Sequence, residues 1–178
     1  GPIAAPAGVE VELARAVPPD IGGLYDVVRA DKQCLLRRDY QYLDWRYFQS
    51  PARDDYEVWA ARRSGRLIGL MVLKPQSGLA PDSSTIADWL VPEGDAEAAD
   101  ALLAKAVQRQ LDEQRERLMS VFPGWSHEHR YLLSRGFVET PSANWMQRRM
   151  IHNICIPQVT AEFLAENWWY TLGDSDLA

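Results

Sequence analysis

The chain has 178 residues, enough for one domain with a buried core, and 47% of them are hydrophobic. Its formal net charge of −6 argues against a general nucleic-acid binder, which shows a basic stripe, although Arg62-Arg63 and Arg148-Arg149 make local basic patches. No apolar run approaches the length that spans a bilayer, and the 2 cysteines, Cys34 and Cys155, are expected to be reduced, packed thiols of a cytoplasmic protein.

Gly1-Pro2 reads as the remnant of a cleaved tag and Ile3 to Gly8 as a Pro/Ala linker, so the chain is expected to be a piece of something longer. Val9, Val11 and Leu13 alternate with Glu10 and Glu12, the period of a half-buried strand. Pro18-Pro19-Asp20 starts a helix predicted over Ile21 to Gln33, weakened in its first turn by Gly22-Gly23. A second helix fits Asp39 to Phe48, capped by Asp39 and stopped by Ser50-Pro51. Tyr40, Leu43 and Tyr47 share one of its faces; this aromatic run is packing, or alternatively one wall of a ligand groove.

Tyr56, Val58 and Ala60 alternate with Glu57, Trp59 and Ala61, a turn follows at Arg63 to Arg66, and Leu67 to Leu73 returns as a central strand. Lys74 to Ser84 is a loop and Thr85 to Val91 the next strand, which stops at Pro92 and turns through Gly94. Asp95 caps a long helix predicted to reach Arg117. Such a strand–turn–helix aims backbone N–H groups and the positive helix end at one point, where anions bind. Leu118 to Phe122 reads as a buried strand, Ser126 caps a short helix that Gly136 ends, and Phe137 to Thr140 starts another strand that Trp145 to Ile151 pairs with. A last short helix, capped by Thr160, precedes an aromatic tail, Asn167 to Asp176, expected to dock on the body. The expected organisation is a linker over 1–8, a domain over 9–152 and an extension over 153–178.

This order of elements resembles the GNAT acetyltransferase superfamily from Val9 to Ile151. The features that carry it are Leu67-Ile-Gly-Leu-Met-Val, the strand–turn–helix from Ile86 to Leu103, and Tyr131-Leu-Leu-Ser-Arg-Gly-Phe137. The tail also looks like second halves of tandem GNAT-like proteins. The resemblance implies an α/β (α+β) fold with a mixed, mostly antiparallel sheet flanked by helices. It also implies acyl transfer from acetyl-CoA or another acyl-CoA to an amine on a small molecule or protein.

Two departures stand out. The family's pyrophosphate loop reads Arg/Gln-x-x-Gly-x-Gly/Ala, whereas Glu93-Gly-Asp-Ala-Glu-Ala-Ala-Asp100 holds one glycine, no arginine and four carboxylates. A carboxylate about 4 Å from a phosphate costs roughly 4 kcal/mol at an effective dielectric of about 20. The general-acid tyrosine of many members falls at Leu132, with Tyr131 one place earlier and roughly 100° round the helix.

The resemblance implies Asp88 and Tyr131 as catalytic candidates. It implies Leu90, Val91, Gly94 and Ala96 as cofactor-binding residues, and Tyr42, Trp45 and Trp89 as the substrate groove. Asp88 is placed on a face with Ile86 and Leu90, opposite Ala87, Trp89 and Val91; it is a base, or it caps a loop or meets an arginine such as Arg46. His127 and His129 lack metal-ligand spacing, so no metal site is expected. Two functions stay open: an acyl-CoA-dependent N-acyltransferase, or a GNAT-fold binding or regulatory part of a larger protein that has lost coenzyme A binding.

Overall fold

The computed structural model describes residues 3, 5–78, 80–140 and 159–175. Five strands form one sheet in the order β1-β3-β4-β5-β6: β1 is Glu10–Leu13, β3 Glu57–Arg63, β4 Arg66–Lys74, β5 Ser83–Leu90 and β6 Arg117–Ser120. Neighbours are antiparallel except β5 and β6, which run parallel because the helix α3 (Ala96–Asp112) carries the chain back between them. Among the described residues the other α-helices are α1 (Ile21–Ala30), α2 (Tyr40–Leu43), α4 (His127–Ser134) and α5 (Ala161–Asn167). A two-stranded parallel sheet joins β2 (Cys34–Leu35) to β7 (Trp168–Trp169). The fold class is the mixed, mostly antiparallel sheet flanked by helices that the sequence implies.

Alternation along the strands sorts the core into two layers. Val58, Ala60, Leu70 and Val72 pack on Ile21, Leu24 and Val28 of α1 and on Leu43 and Tyr47. Ala61, Met71 and Leu73 pack with Ala98, Leu102 and Ala106 of α3 and with Leu132 of α4. β5, covered on both faces, is buried along its whole length. Gly69 marks the closest approach of α3 to the sheet, since a Cβ there would stand 3.1 Å from Leu102 Cδ1 and 3.3 Å from Val91 Cγ2.

The register of β5 corrects the expected faces. Val72 pairs with Asp88 but Leu73 pairs with Ile86, so Ala87 is the extra residue of a β-bulge. Ile86, Trp89 and Val91 therefore share the α3 layer, while Ala87 and Leu90 join the α1 layer. Strict alternation, which puts Ile86 beside Leu90, fails at that one inserted residue.

Capping was legible. Asp39, Asp95, Ser126 and Thr160 each accept an N–H three residues on, from Tyr42, Ala98, His129 and Phe163. Asp20 makes no such bond; its carboxylate instead accepts from the Leu67 N–H at 3.1 Å and meets Arg62. α1 ends at Ala30 and not Gln33, as the chain turns to feed β2. α3 ends at Asp112, short of Arg117, because Gln114 takes the left-handed φ of 53° and reverses the chain into β6. Past Leu43 the second helix widens into a π-helical turn, Asp44–Phe48. That turn buries Tyr47, whereas Tyr40, expected on the same face, is half exposed. Phe137 to Thr140 forms no strand. Trp145 to Ile151, Arg148-Arg149 and Cys155 lie outside the described residues.

Candidate functional site

Two clusters surround β5, one on each face. The first lies where β5 runs into α3. The Asp95 N–H closes the turn on the Pro92 carbonyl at 3.0 Å, and the Asp95 carboxylate caps α3. The start of α4 lies opposite. Trp89, Val91, Asp95, Ala96, His127 and Tyr131 line a cleft between them with about 10 Å³ of open space, room for one water. Trp89 and Tyr131 wall it, with ring centroids 6.4 Å apart.

Glu93 also lines the cleft. Its Oε1 accepts from Lys32 Nζ at 2.6 Å, and its Oε2 lies 4.0 Å from His127 Nδ1. Lys32 is itself buried against Glu128 at 2.9 Å, and the indole N–H of Trp169 donates to the same Glu128 carboxylate. The other acids of the turn point to cations of this chain: Asp95 and Glu97 to Arg63, Asp100 to Arg135. Tyr131 donates its hydroxyl to Asp100 at 2.8 Å, and burial together with that bond raises its pKa well above the ordinary tyrosine value. Gly94 faces open space, for a Cβ there would meet nothing within 4 Å.

The second cluster lies on the α1 face around Asp88, whose carboxylate is fully buried. Oδ1 accepts from Arg38 Nε at 2.9 Å, from the Trp89 N–H at 3.0 Å and from the Thr171 hydroxyl at 3.2 Å. Oδ2 accepts from the Tyr47 hydroxyl at 3.1 Å. Arg38, equally buried, also binds Asp174 Oδ2 at 2.5 Å and the Leu36 carbonyl. Burial alone would lower the Arg38 pKa, but the flanking Asp88 and Asp174 outweigh it and hold the guanidinium charged. Burial and then Asp88 raise both nearby phenols, Tyr42 to about 12 and Tyr47 well above the usual value.

The roof of this cluster is the segment that follows α5. Its one-turn helix, Leu172–Asp174, lies against β5. At Gly173 a Cβ would stand 2.5 Å from the Tyr47 hydroxyl, 3.0 Å from Asp88 Oδ2 and 3.1 Å from the Ala87 carbonyl, so only glycine fits. Tyr42 donates its hydroxyl to the Gly173 carbonyl, and Arg46 donates to the Ser175 carbonyl.

The structure thus separates residues that the sequence grouped. Asp88 and Leu90 belong with the α1 face, while Trp89, Val91, Ala96 and Tyr131 belong to the α3 cleft. Tyr42 packs on the α1 layer and Trp45, 63% exposed, leans on it, so neither shares a wall with Trp89. The arginine that meets Asp88 is Arg38 and not Arg46. Lys32, Arg38, Glu128 and Asp174 were missed. For Arg38 and Asp174 the one sequence signal is charge next to apolar or aromatic residues, Leu35-Leu36-Arg37-Arg38 and Tyr170-Thr-Leu-Gly-Asp174; Lys32 and Glu128 stand among polar residues and carry no such signal. Among the described residues no group of three or more metal-binding side chains is assembled, and no helix is long and apolar enough to cross a membrane.

No family model and no curated protein matches the chain. Solved structures do. A ribosomal-protein-alanine N-acetyltransferase from Brucella melitensis biovar Abortus 2308 aligns with a TM-score of 0.55 at 16% identity, over 80% of this chain and 99% of that one. An acetyltransferase from Streptococcus agalactiae gives 0.55 at 12% identity, over 83% and 93%. A GNAT family acetyltransferase from Elizabethkingia anophelis, solved with acetyl-CoA bound, gives 0.51 at 14% identity, over 83% and 91%. These likenesses show that the chain has the fold of the GNAT acetyltransferases.

Proposed function

We propose that this domain is a binding or regulatory module of GNAT fold, part of a larger multidomain protein, and that it does not run acyl transfer through Asp88. The observation that carries this reading is the state of the Asp88 carboxylate. A general base needs a lone pair within reach of the proton that it removes. Both Asp88 oxygens accept donors from within the chain, and Gly173 closes over Oδ2. Freeing the carboxylate would strip Arg38 of a buried partner, a loss that costs about 3–5 kcal/mol when one member of such a pair is removed.

The cofactor test points the same way. The residues at the β5–α3 turn do not fit a pyrophosphate: the cleft has room for about one water, the carboxylates of Glu93, Asp95 and Glu128 line it, and Lys32 is spent on two of them. Calorimetry against acetyl-CoA is expected to give a dissociation constant no tighter than about 1 mM, near −4 kcal/mol. Incubation with acetyl-CoA and small-molecule or peptide amines is expected to release no thiol. Micromolar binding with turnover that Asp88→Asn abolishes would overturn the reading.

One observation favours the second reading, acyl transfer from acetyl-CoA or another acyl-CoA to an amine. The cleft lies at the N-terminus of α3, where Val91, Ala96 and Tyr131 meet. Micromolar acetyl-CoA binding that survives in Asp88→Asn would support it, with Asp88 in a structural role.

A further inference from the structure

We propose that the segment Trp168–Ser175 is a strap over Asp88 whose docking is linked to one proton, carried by Asp174. The strap is built into the fold at both ends. β7 pairs with β2, Trp169 and Leu172 are fully buried, and the carbonyls of Gly173 and Ser175 are held by Tyr42 and Arg46. Between those anchors two carboxylates, Asp88 from β5 and Asp174 from the strap, share the single guanidinium of Arg38.

Their environments differ. Each Asp88 oxygen has at least one donor. Asp174 Oδ2 accepts from Arg38 and from the Thr171 N–H at 2.9 Å, but its Oδ1 is buried without a donor among the described residues. A charged oxygen in that position costs more than a neutral one, because burial penalises charge more than it penalises an unpaired neutral polar group. Burial raises the Asp174 pKa above its ordinary value of 3.8, Asp88 pushes it further up, and Arg38 and the Thr171 N–H oppose without cancelling.

The sign follows. A docked strap holds a proton on Asp174 at a pH where a released strap has lost it, so release frees one proton. Rising pH favours release, from about the ordinary value up to the docked value, and above that the effect is constant. The strap is tightest in acid. Release uncovers Asp88, Tyr47 and Arg38 on the face where Gly173 now excludes any ligand. None of this rests on the binding reading above, because the readouts below contain no acyl-CoA.

The test is backbone hydrogen exchange on the whole chain from pH 4 to pH 8, corrected for intrinsic exchange. The amides of Thr171 and Gly173, bound to Asp174 Oδ2 and Thr171 Oγ1, report the strap; those of β3 and β4 report the sheet. Protection of the strap is expected to fall as pH rises, by at most about tenfold per pH unit, the limit for one proton. Sheet protection should not follow, and in Asp174→Asn the strap slope should vanish. Gly173→Ala should loosen the strap at every pH with the slope kept. A flat wild-type profile, a slope that survives in Asp174→Asn, or strap and sheet exchanging together at every pH would each overturn the proposal. Should Asp174→Asn not fold, the carboxyl carbon resonance of Asp174 in the wild type decides. A midpoint at or below 3.8 would overturn the proposal, and one above it would support it.

Discussion

Asp88 and Arg38 are joined across 50 positions of sequence, and neither is exposed. Taking both charges from water is repaid only while their mutual attraction and remaining hydrogen bonds hold. Asp88→Ala should therefore lower the unfolding free energy by about 3–5 kcal/mol, measured by urea denaturation, since it leaves Arg38 one carboxylate partner, Asp174, where it had two and removes the acceptor of Tyr47. A loss under about 1 kcal/mol would mean that water reaches the cluster. That Asp88 needed a partner or a cleft was readable, because a carboxylate among Ile86, Ala87 and Trp89 cannot stay bare. Which partner was not readable. Arg38 is the second of two arginines after Leu35-Leu36, and its role exists only once β2, β5 and the strap converge.

Among the elements, α3 shows both what local sequence carries and what it does not. The Asp95 cap and the turn at Pro92 follow from side-chain chemistry within a few residues, and Asp95→Ala should cost about 1 kcal/mol, visible as a lower Tm. The acidic turn was readable as four charges, but their directions were not. Glu97 and Asp100 pair with Arg63 and Arg135 and do not line the cleft, while Glu93 does line it, held by Lys32 from 61 positions away. Glu93→Gln is thus the substitution to make. It should tighten any residual acetyl-CoA binding by about tenfold, near 1.4 kcal/mol, and Glu97→Gln should change it less. Equal effects in calorimetry at low salt would show that the field of the whole turn matters and not Glu93 alone. The bulge at Ala87 and the two-residue β2 stayed hidden for the same reason. Each is fixed by a neighbouring strand, and neither disturbs the local hydrophobic period.

For the whole molecule, the sheet and its helices account for the GNAT likeness, but the face that carries Asp88 is finished by residues from the far end of the chain. The sequence pointed to an aromatic tail that docks; it did not show that the tail supplies core. Trp169 and Leu172 are both fully buried, and each contributes about 1.5–3 kcal/mol by burial. A chain ended at Asn167 should therefore lose about 3–6 kcal/mol, against a total of about 5–15 kcal/mol for an ordinary domain. It should remain folded but melt roughly 10–20 °C lower, at about 2–4 °C per kcal/mol for a domain of this size. The missing indole of Trp169 also removes a donor to Glu128 and a ring beside Lys32 and Arg38, so the two clusters on either side of β5 lose a shared member. Loosening at Lys32 would free Glu93 to move away from the α3 cleft that it lines. The shortened chain should therefore bind inorganic pyrophosphate more tightly than the full one, while Glu128→Gln in the full chain reproduces part of that gain without the loss of Tm. Identical pyrophosphate affinity in all three, by calorimetry, would show that the clusters are independent and that the strap acts on the Asp88 face alone.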